Sequence, residues 1–312
     1  MMQFEPLTCA PLSQDIATRI RANDIDPSYV EDLIRRTIAE DLAGGIDITS
    51  VATVPLTQRS VASYGSRAHG TIAGVDIACA VLQMVSGDQL GNVDRVVADG
   101  STVSPGDVII RVTAPTQLLL TAERTSLNLL CHLSGVATAT ARWVSAVAGT
   151  DAVIRDTRKT TPGLRALEKF AVRCGGGQNH RMSLSDAALV KDNHVASAGG
   201  VVQAFRAVRD MNVSIPIEVE VDTLQQLREV IAAGADLVLL DNMMPDVMRE
   251  AVAIAAEHRT ATGAPVLLEA SGGLTLDKAR AVAETGVHFI SVGGLTHSSP
   301  ILDIGLDLET VL

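Results

Sequence analysis

The sequence predicts an α/β protein in two parts: an N-terminal region of mixed α and β character, then repeated strand–helix units around a parallel sheet. Three observations carry this. At 312 residues the chain is long for one domain, since domains average about 100–200 residues. From about residue 150 short apolar runs recur at steps of about 20–35 residues, room for one strand and one helix each. Those runs end in charged residues or paired glycines, a pattern that gathers polar groups at the carboxyl ends of parallel strands.

The N-terminal elements follow in order. Pro27–Leu42 reads as an amphipathic helix on Val30, Leu33, Ile34, Ile38 and Leu42, stopped by Gly44-Gly45. Ser60–Ala73 alternates and suits strands or a hairpin, and Val75–Val85 a helix. Val93–Ala98 and Val108–Thr113 read as strands, with Ser104-Pro105-Gly106-Asp107 as a turn between them. A carrier-domain reading of that turn lacks the required exposed lysine, so the turn is structural. Pro115 opens an Ala- and Leu-rich stretch through Ala148, one or two helices joining the halves.

In the second part the apolar runs are Ala152–Ile154, Ala187–Val190, Ile215–Val221, Leu237–Leu240, Pro265–Leu268 and His288–Val292. Helical patterns at Val201–Val208, Leu224–Ala233, Asp246–Glu257 and Leu276–Ala283 fill the gaps. Such units build a parallel sheet, closed as a barrel or open and doubly wound. The runs end at Arg155-Asp156, Lys191-Asp192, Glu220-Val221-Asp222, Asp241-Asn242, Glu269-Ala270-Ser271 and Gly293-Gly294. Helix caps account for any one of these ends but not for the whole series.

Composition excludes several function classes. Hydrophobic residues at 47% and charged residues at 20% rule out wholesale disorder. No apolar run approaches the length of a membrane span, and the stretch MMQFEPLTCAPLSQD lacks the basic, apolar pattern of a secretory leader. A net charge of −11 and only 2% aromatics argue against nucleic acid as a partner. Cys9, Cys79, Cys131 and Cys174 are widely spaced and form no CxxC pair, so they read as small buried thiols rather than zinc ligands or disulfides. Together these features give the expectation of a cytoplasmic chain.

Charge is concentrated locally. Between Arg155 and Lys191 lie eight of the 25 lysines and arginines, against only Asp156, Glu168 and Asp186. A cationic pocket in an acidic protein suits a small polyanion. Arg165, Lys169 and Arg173 have the spacing of a solvated helix face, whereas Arg158, Lys159, Arg181 and Lys191 fall near strand ends and loops. Ser271-Gly272-Gly273 and Val292-Gly293-Gly294 end the last two strands, where glycine lets backbone N–H groups approach a phosphate. Glu220 and Asp241 end neighbouring strands and suit sugar hydroxyls or Mg²⁺ held through water. Gly175-Gly176-Gly177 is not a P-loop, because no Lys-Ser/Thr follows it. His180 beside Arg181 is a candidate ligand contact, and His69, His258, His288 and His297 read as structural or surface residues.

The run DTRKTTPGLRALEKFAVRCGGGQNHR (Asp156–Arg181), together with ALVKDNHV, resembles the quinolinate phosphoribosyltransferases. AERTSLNLLCHLSG, EVEV, LLDN, LEASGG and SVGGLTHS extend the resemblance over nearly the whole chain. Gly294 departs from the alanine common in that family, and the stretch before about residue 20 has no interpretable counterpart.

The resemblance implies a type II phosphoribosyltransferase fold: an N-terminal α/β sandwich domain (1–134, with 296–312 packing back on it) and an incomplete, TIM-like α/β barrel (135–295). It implies transfer of phosphoribose from 5-phosphoribosyl 1-pyrophosphate to quinolinate with loss of CO₂, giving nicotinate mononucleotide for NAD synthesis. It further implies a Mg²⁺ cofactor and a homodimer in which Arg124 enters the neighbouring subunit's site. Arg124, Arg158, His180, Arg181 and Lys191 are then expected around the quinolinate carboxylates, with Thr157 among the substrate-binding residues and Lys159 at the pyrophosphate. Glu220 and Asp241 are expected at the ribose and magnesium, and Ser271, Gly272, Gly273, Val292, Gly293 and Gly294 at the 5-phosphate. Two other readings remain: a lyase with Lys159 or Lys191 as a Schiff base, which borohydride would trap, and a non-catalytic anion binder, which would bind without turnover.

Overall fold

The computed structural model describes residues 7–211 and 214–311, and the chain divides into two compact units. The helices are α1 (Gln14–Ala22), α2 (Pro27–Leu42), α3 (Ile48–Thr53), α4 (Val75–Ser86), α5 (Thr116–Ala146), α6 (Arg165–Cys174), α7 (Asp192–Ala198), α8 (Val201–Arg209), α9 (Leu224–Ala232), α10 (Pro245–Thr262), α11 (Ala279–Ala283) and α12 (Gly294–His297). The strands are β1 (Arg59–Ser66), β2 (Gly70–Thr71), β3 (Val93–Arg95), β4 (Thr102–Val103), β5 (Val108–Pro115), β6 (Val153–Arg155), β7 (Ala188–Val190), β8 (Ile217–Val221), β9 (Leu237–Asp241), β10 (Leu267–Ser271), β11 (Phe289–Ser291) and β12 (Ile304–Val311).

The first unit holds the chain up to Ala139, then Ala166–Gly175, then the segment from Ser299. Its antiparallel sheet has the order β12-β1-β5-β3, so the C-terminal strand pairs with β1. The stretch Ser60–Ala73 is not a hairpin: β1 pairs with β12 and β5, and β2 pairs with β4. In α2 the Asp26 side chain accepts the Ser28 N–H, Pro27 opens the first turn, Val30, Leu33, Ile34 and Ile38 are buried, and Ala43 ends the helix in the left-handed region. The stripe read from the sequence is therefore the buried face. Helix α1 has a similar design, with Ser13 accepting the Ile16 N–H and Ile16, Ala17 and Ile20 buried. Each of those isoleucines stabilises the unit by about 1.5–3 kcal/mol.

Helix α6 corrects the expectation of a solvated face at Lys169, while Arg165 and Arg173 are half-buried. Glu168 and Lys169 are fully buried, because α6 groups with the first unit. There Glu168 meets His132 Nε2 at 2.8 Å, and Arg173 donates to the Asn23 carbonyl. Against the expected division into 1–134 with 296–312 and 135–295, the chain enters the second unit at Thr140, returns to the first for α6, and rejoins the first from Ser299.

The second unit holds one parallel sheet in the order β6-β11-β10-β9-β8-β7. From β7 to β11 strands adjacent in sequence are adjacent in space, and β6 sits beside β11. That is barrel winding rather than the reversed order of a doubly wound sheet. Among the described residues β6 and β7 are not paired, so the barrel is incomplete; Gln178 forms a single parallel bridge to Arg155 at the outer edge of β6. No helix among the described residues is long and apolar enough to cross a membrane. The leader reading rests partly on residues 1–6, which lie outside the described residues.

Candidate active site

Strand geometry assembles the site. Successive side chains alternate between faces, and one face recurs in register across the sheet. Register places Glu218 beside Leu189 and Leu237, Glu220 beside Leu239, Ser271 beside Asp241, and Ser291 beside Arg155. Leu189, Glu220, Leu239, Asp241, Glu269, Ser271 and Ser291 all line one cavity of about 590 Å³, within the range of small-ligand sites. Loops add Thr157, Arg158, Lys159, His180, Arg181, Lys191, Asp192, Asn242, Gly272 and Gly273 to its wall.

The cations are held in different ways. Arg181 Nη1 donates to the Ala187 carbonyl at 3.0 Å. Burial, followed by the neighbouring Arg158 guanidinium, pushes the Arg181 pKa down. This is the mark of crowded positive charge, which an anion would relieve. Arg158 Nε is buried with no hydrogen-bond partner, a donor that a bound carboxylate would satisfy. Lys191 Nζ lies 2.5 Å from Glu220 Oε2. Lys159 is exposed, and its loop is pinned where Thr296 Oγ1 donates to the Lys159 carbonyl at 2.8 Å.

Beneath them lies a charged floor. Glu269 is fully buried and accepts from Arg155 Nη1 at 3.1 Å and from the Ser291 hydroxyl. Arg155 also stacks 3.3 Å over the Phe289 ring. Buried Glu218 meets His180 Nε2 at 2.7 Å, and Glu269 lies 3.5 Å from the same atom. Burial pushes the His180 pKa down, but the hydrogen bond to Glu218 and the charges of Glu269 and Glu218 outweigh it and leave the net shift upward. His180 Nδ1 accepts the Arg181 backbone N–H at 2.7 Å, so full protonation of the ring requires that contact to open. Burial, then the Glu218 charge, raises the Glu269 pKa. Asp156, also buried, accepts from the Asn179 amide and the His180 backbone N–H and so fixes the start of this loop.

The glycine segments differ from each other. Gly272 and Gly273 have φ of +93° and +57° and line the cavity, so a side chain at either position is strained. Val292, Gly293 and Gly294 are not part of the lining. Gly293 lies against the side chains of Lys159 and Thr157, whereas a Cβ on Gly294 meets nothing within 4 Å, so the alanine common in the family is compatible with this turn. Arg124 is exposed on α5 in the first unit and lines two grooves there. His288 serves structure, accepting the Leu268 N–H through Nδ1.

Sequence reasoning named Arg155, Asn242 and Glu269 as strand ends but gave them no role in the site, and it missed Glu218 and Ser291. The signal for Glu218 and Glu269 was period-two spacing from Glu220 and Ser271. Among the described residues His180, Glu218 and Glu269 form a group close enough to hold a metal ion. The Arg155 guanidinium on Glu269 and the engaged His180 nitrogens already satisfy much of that group.

A cation-rich, glycine-edged cavity at the carboxyl ends of an incomplete parallel barrel defines a class: α/β-barrel enzymes acting on small, multiply charged phosphorylated substrates. Residues 136–307 match the C-terminal domain of quinolinate phosphoribosyl transferase, and residues 47–134 match its N-terminal domain. The chain belongs to the quinolinate phosphoribosyl transferase family. It is 52% identical over 286 residues to a nicotinate-nucleotide pyrophosphorylase (carboxylating) of Mycobacterium leprae, covering 92% of this chain and 99% of that one. A probable enzyme of the same name from Bacillus subtilis is 40% identical, with 88% and 92% covered. The solved nicotinate-nucleotide pyrophosphorylase of Francisella tularensis superposes with a TM-score of 0.83 at 34% identity, covering 98% of this chain and 100% of that one.

Proposed function

We infer that the chain is a decarboxylating quinolinate phosphoribosyltransferase, which makes nicotinate mononucleotide, pyrophosphate and CO₂ from quinolinate and 5-phosphoribosyl 1-pyrophosphate in NAD biosynthesis. The carrying observation is the convergence of Arg158, Lys159, Arg181 and Lys191 on one cavity with Glu220, Asp241 and the Gly272-Gly273 turn. Quinolinate presents two adjacent carboxylates, and guanidinium forks match such groups in bidentate geometry. Arg158, Arg181, Lys191 and His180 take that end, with Thr157 beside them. The Ser271–Gly273 turn takes the 5-phosphate, and in this reading the Val292–Gly294 turn, whose Gly293 lies against Lys159 and Thr157, takes part from outside the cavity lining. Lys159 neutralises charge on the departing pyrophosphate. Glu220 and Asp241 hold the ribose hydroxyls and stabilise positive charge developing at the anomeric carbon.

The ring nitrogen of quinolinate bonds to that carbon as the bond to pyrophosphate breaks. The nitrogen is then cationic. When the adjacent carboxylate leaves as CO₂, the bonding pair stays on ring carbon 2, stabilised by that cation, and a proton from solvent completes the product. No protein nucleophile is needed. Glu220 and Asp241 offer hard oxygen donors on neighbouring strands, a set that fits Mg²⁺ held through water. When bound there, the ion would add positive charge beside the pyrophosphate.

The homodimer is part of this reading: exposed Arg124, outside the cavity lining, would complete the neighbour's dicarboxylate site. The cytoplasm is the matching compartment, since all four cysteines are free. The test is purified protein with the sugar pyrophosphate, Mg²⁺ and either quinolinate or nicotinate. Mononucleotide formed from quinolinate but not from nicotinate supports the reading, and turnover of nicotinate alone overturns it.

A further inference from the structure

We propose that Asn242 is a positioning residue for phosphoribosyl transfer, clasping the Asp241 carboxylate to the glycine turn that follows β10. The inference rests on the reading of Asp241 as a ribose contact and of Ser271–Gly273 as the phosphate cradle, and it adds the device that holds the two in register.

Three independent features of Asn242 point the same way. Its φ is +52°, a region that residues with a Cβ rarely enter and that asparagine tolerates better than most. Among the described residues only Asp24 and Ala43 share this feature without being glycine, and both sit at the ends of helices rather than in a cavity. The second feature is its pair of contacts. Its side-chain Nδ2 donates to Asp241 Oδ2 at 2.8 Å, and its backbone N–H donates to the Ser271 carbonyl at 2.9 Å. The third feature is the fit against Gly272. A Cβ there would overlap Asn242 Oδ1 and lie 2.6 Å from Asn242 Cγ and 2.9 Å from its backbone nitrogen. The amide thus fills the space left by the missing side chain of Gly272.

Asn242 therefore touches the carboxylate on one side and the turn on the other, and it lines the cavity between them. The two groups it joins would grip opposite ends of one phosphoribosyl unit, so their spacing sets how well that unit is held. Quinolinate is held by other residues. Loosening the clasp should weaken the sugar donor selectively, and removing an outer partner of a functional side chain typically costs about 10–100-fold.

The variants are Asn242→Asp, which keeps the shape but replaces the Nδ2 donor with a carboxylate oxygen facing Asp241, and Asn242→Gly, which keeps the left-handed backbone and removes the side chain. Thermal melts and steady-state constants for both substrates are compared with those of Asp241→Asn. The clasp predicts that KM for 5-phosphoribosyl 1-pyrophosphate rises about tenfold or more in both Asn242 variants, while KM for quinolinate stays near wild type. Asn242→Gly carries the test alone if the aspartate variant does not fold. Equal rises in both KM values would mean a general structural role and overturn the proposal. A wild-type sugar-donor KM in the Asn242 variants, with Asp241→Asn impaired, would overturn the clasp alone. A wild-type value in Asp241→Asn as well would overturn the reading beneath it.

Discussion

Arg181 and His180 show how single side chains carry chemistry here. Arg181 is tethered to the Ala187 carbonyl and crowded by Arg158, so its guanidinium is aimed before any ligand arrives. Arg181→Ala is expected to weaken quinolinate use by about 2–5 kcal/mol, because it strips one partner from a desolvated charge pair; steady-state kinetics with quinolinate varied checks this. His180 owes its raised proton affinity to two glutamates acting against burial. A raised pKa in the folded state means that His180 contributes stability below its unfolded value and loses it as pH climbs through the folded value. Glu218→Gln removes one of the two charges, so the His180 ring resonance followed by NMR should titrate at lower pH than in the wild type. An unchanged titration would show that Glu218 does not hold the proton there.

At the level of elements, the last two βα turns explain what the sequence made legible and what it hid. The paired glycines after β10 and β11 stood out in the sequence, but their different roles did not. Gly272 and Gly273 need the left-handed backbone, whereas Gly293 gives way to the Lys159 side chain and Gly294 opens α12 with free space around it. Gly294→Ala is therefore expected to preserve activity and stabilise the protein by about 0.4–1 kcal/mol, read from denaturant melts. Gly272→Ala should lose activity through strain and overlap with Asn242. Strand positions were legible because apolar runs and polar ends repeat, and α2 because its stripe matches its buried face. Helix α6 misled because Lys169 shares the spacing of Arg165 and Arg173 and so looks solvated in sequence, and nothing local announces that a helix between two barrel strands belongs to the first unit. The resemblance implied that 296–312 packs back on the first domain, but the pairing of β12 with β1 was not legible from local pattern, since it joins residues far apart in the chain.

For the whole molecule, the central idea is that distant stretches deliver complementary charge to one place. The cations come from the loops after β6 and from the end of β7, and the carboxylates and glycines from β8, β9 and β10. If Arg124 completes the neighbouring subunit's site, two inactive chains can repair each other. Arg124→Ala mixed with Lys191→Ala should regain part of the wild-type rate once subunits exchange, because one hybrid site in each dimer then carries both cations. Absence of recovery, with exchange verified by differently tagged chains, would argue that each site is built from one chain. The most direct measurement is a crystal structure with quinolinate bound. The account predicts both carboxylates seated among Arg158, Arg181 and Lys191, with the ring nitrogen facing the space between Glu220 and Asp241. Quinolinate bound elsewhere, with those three cations still facing solvent, would contradict it.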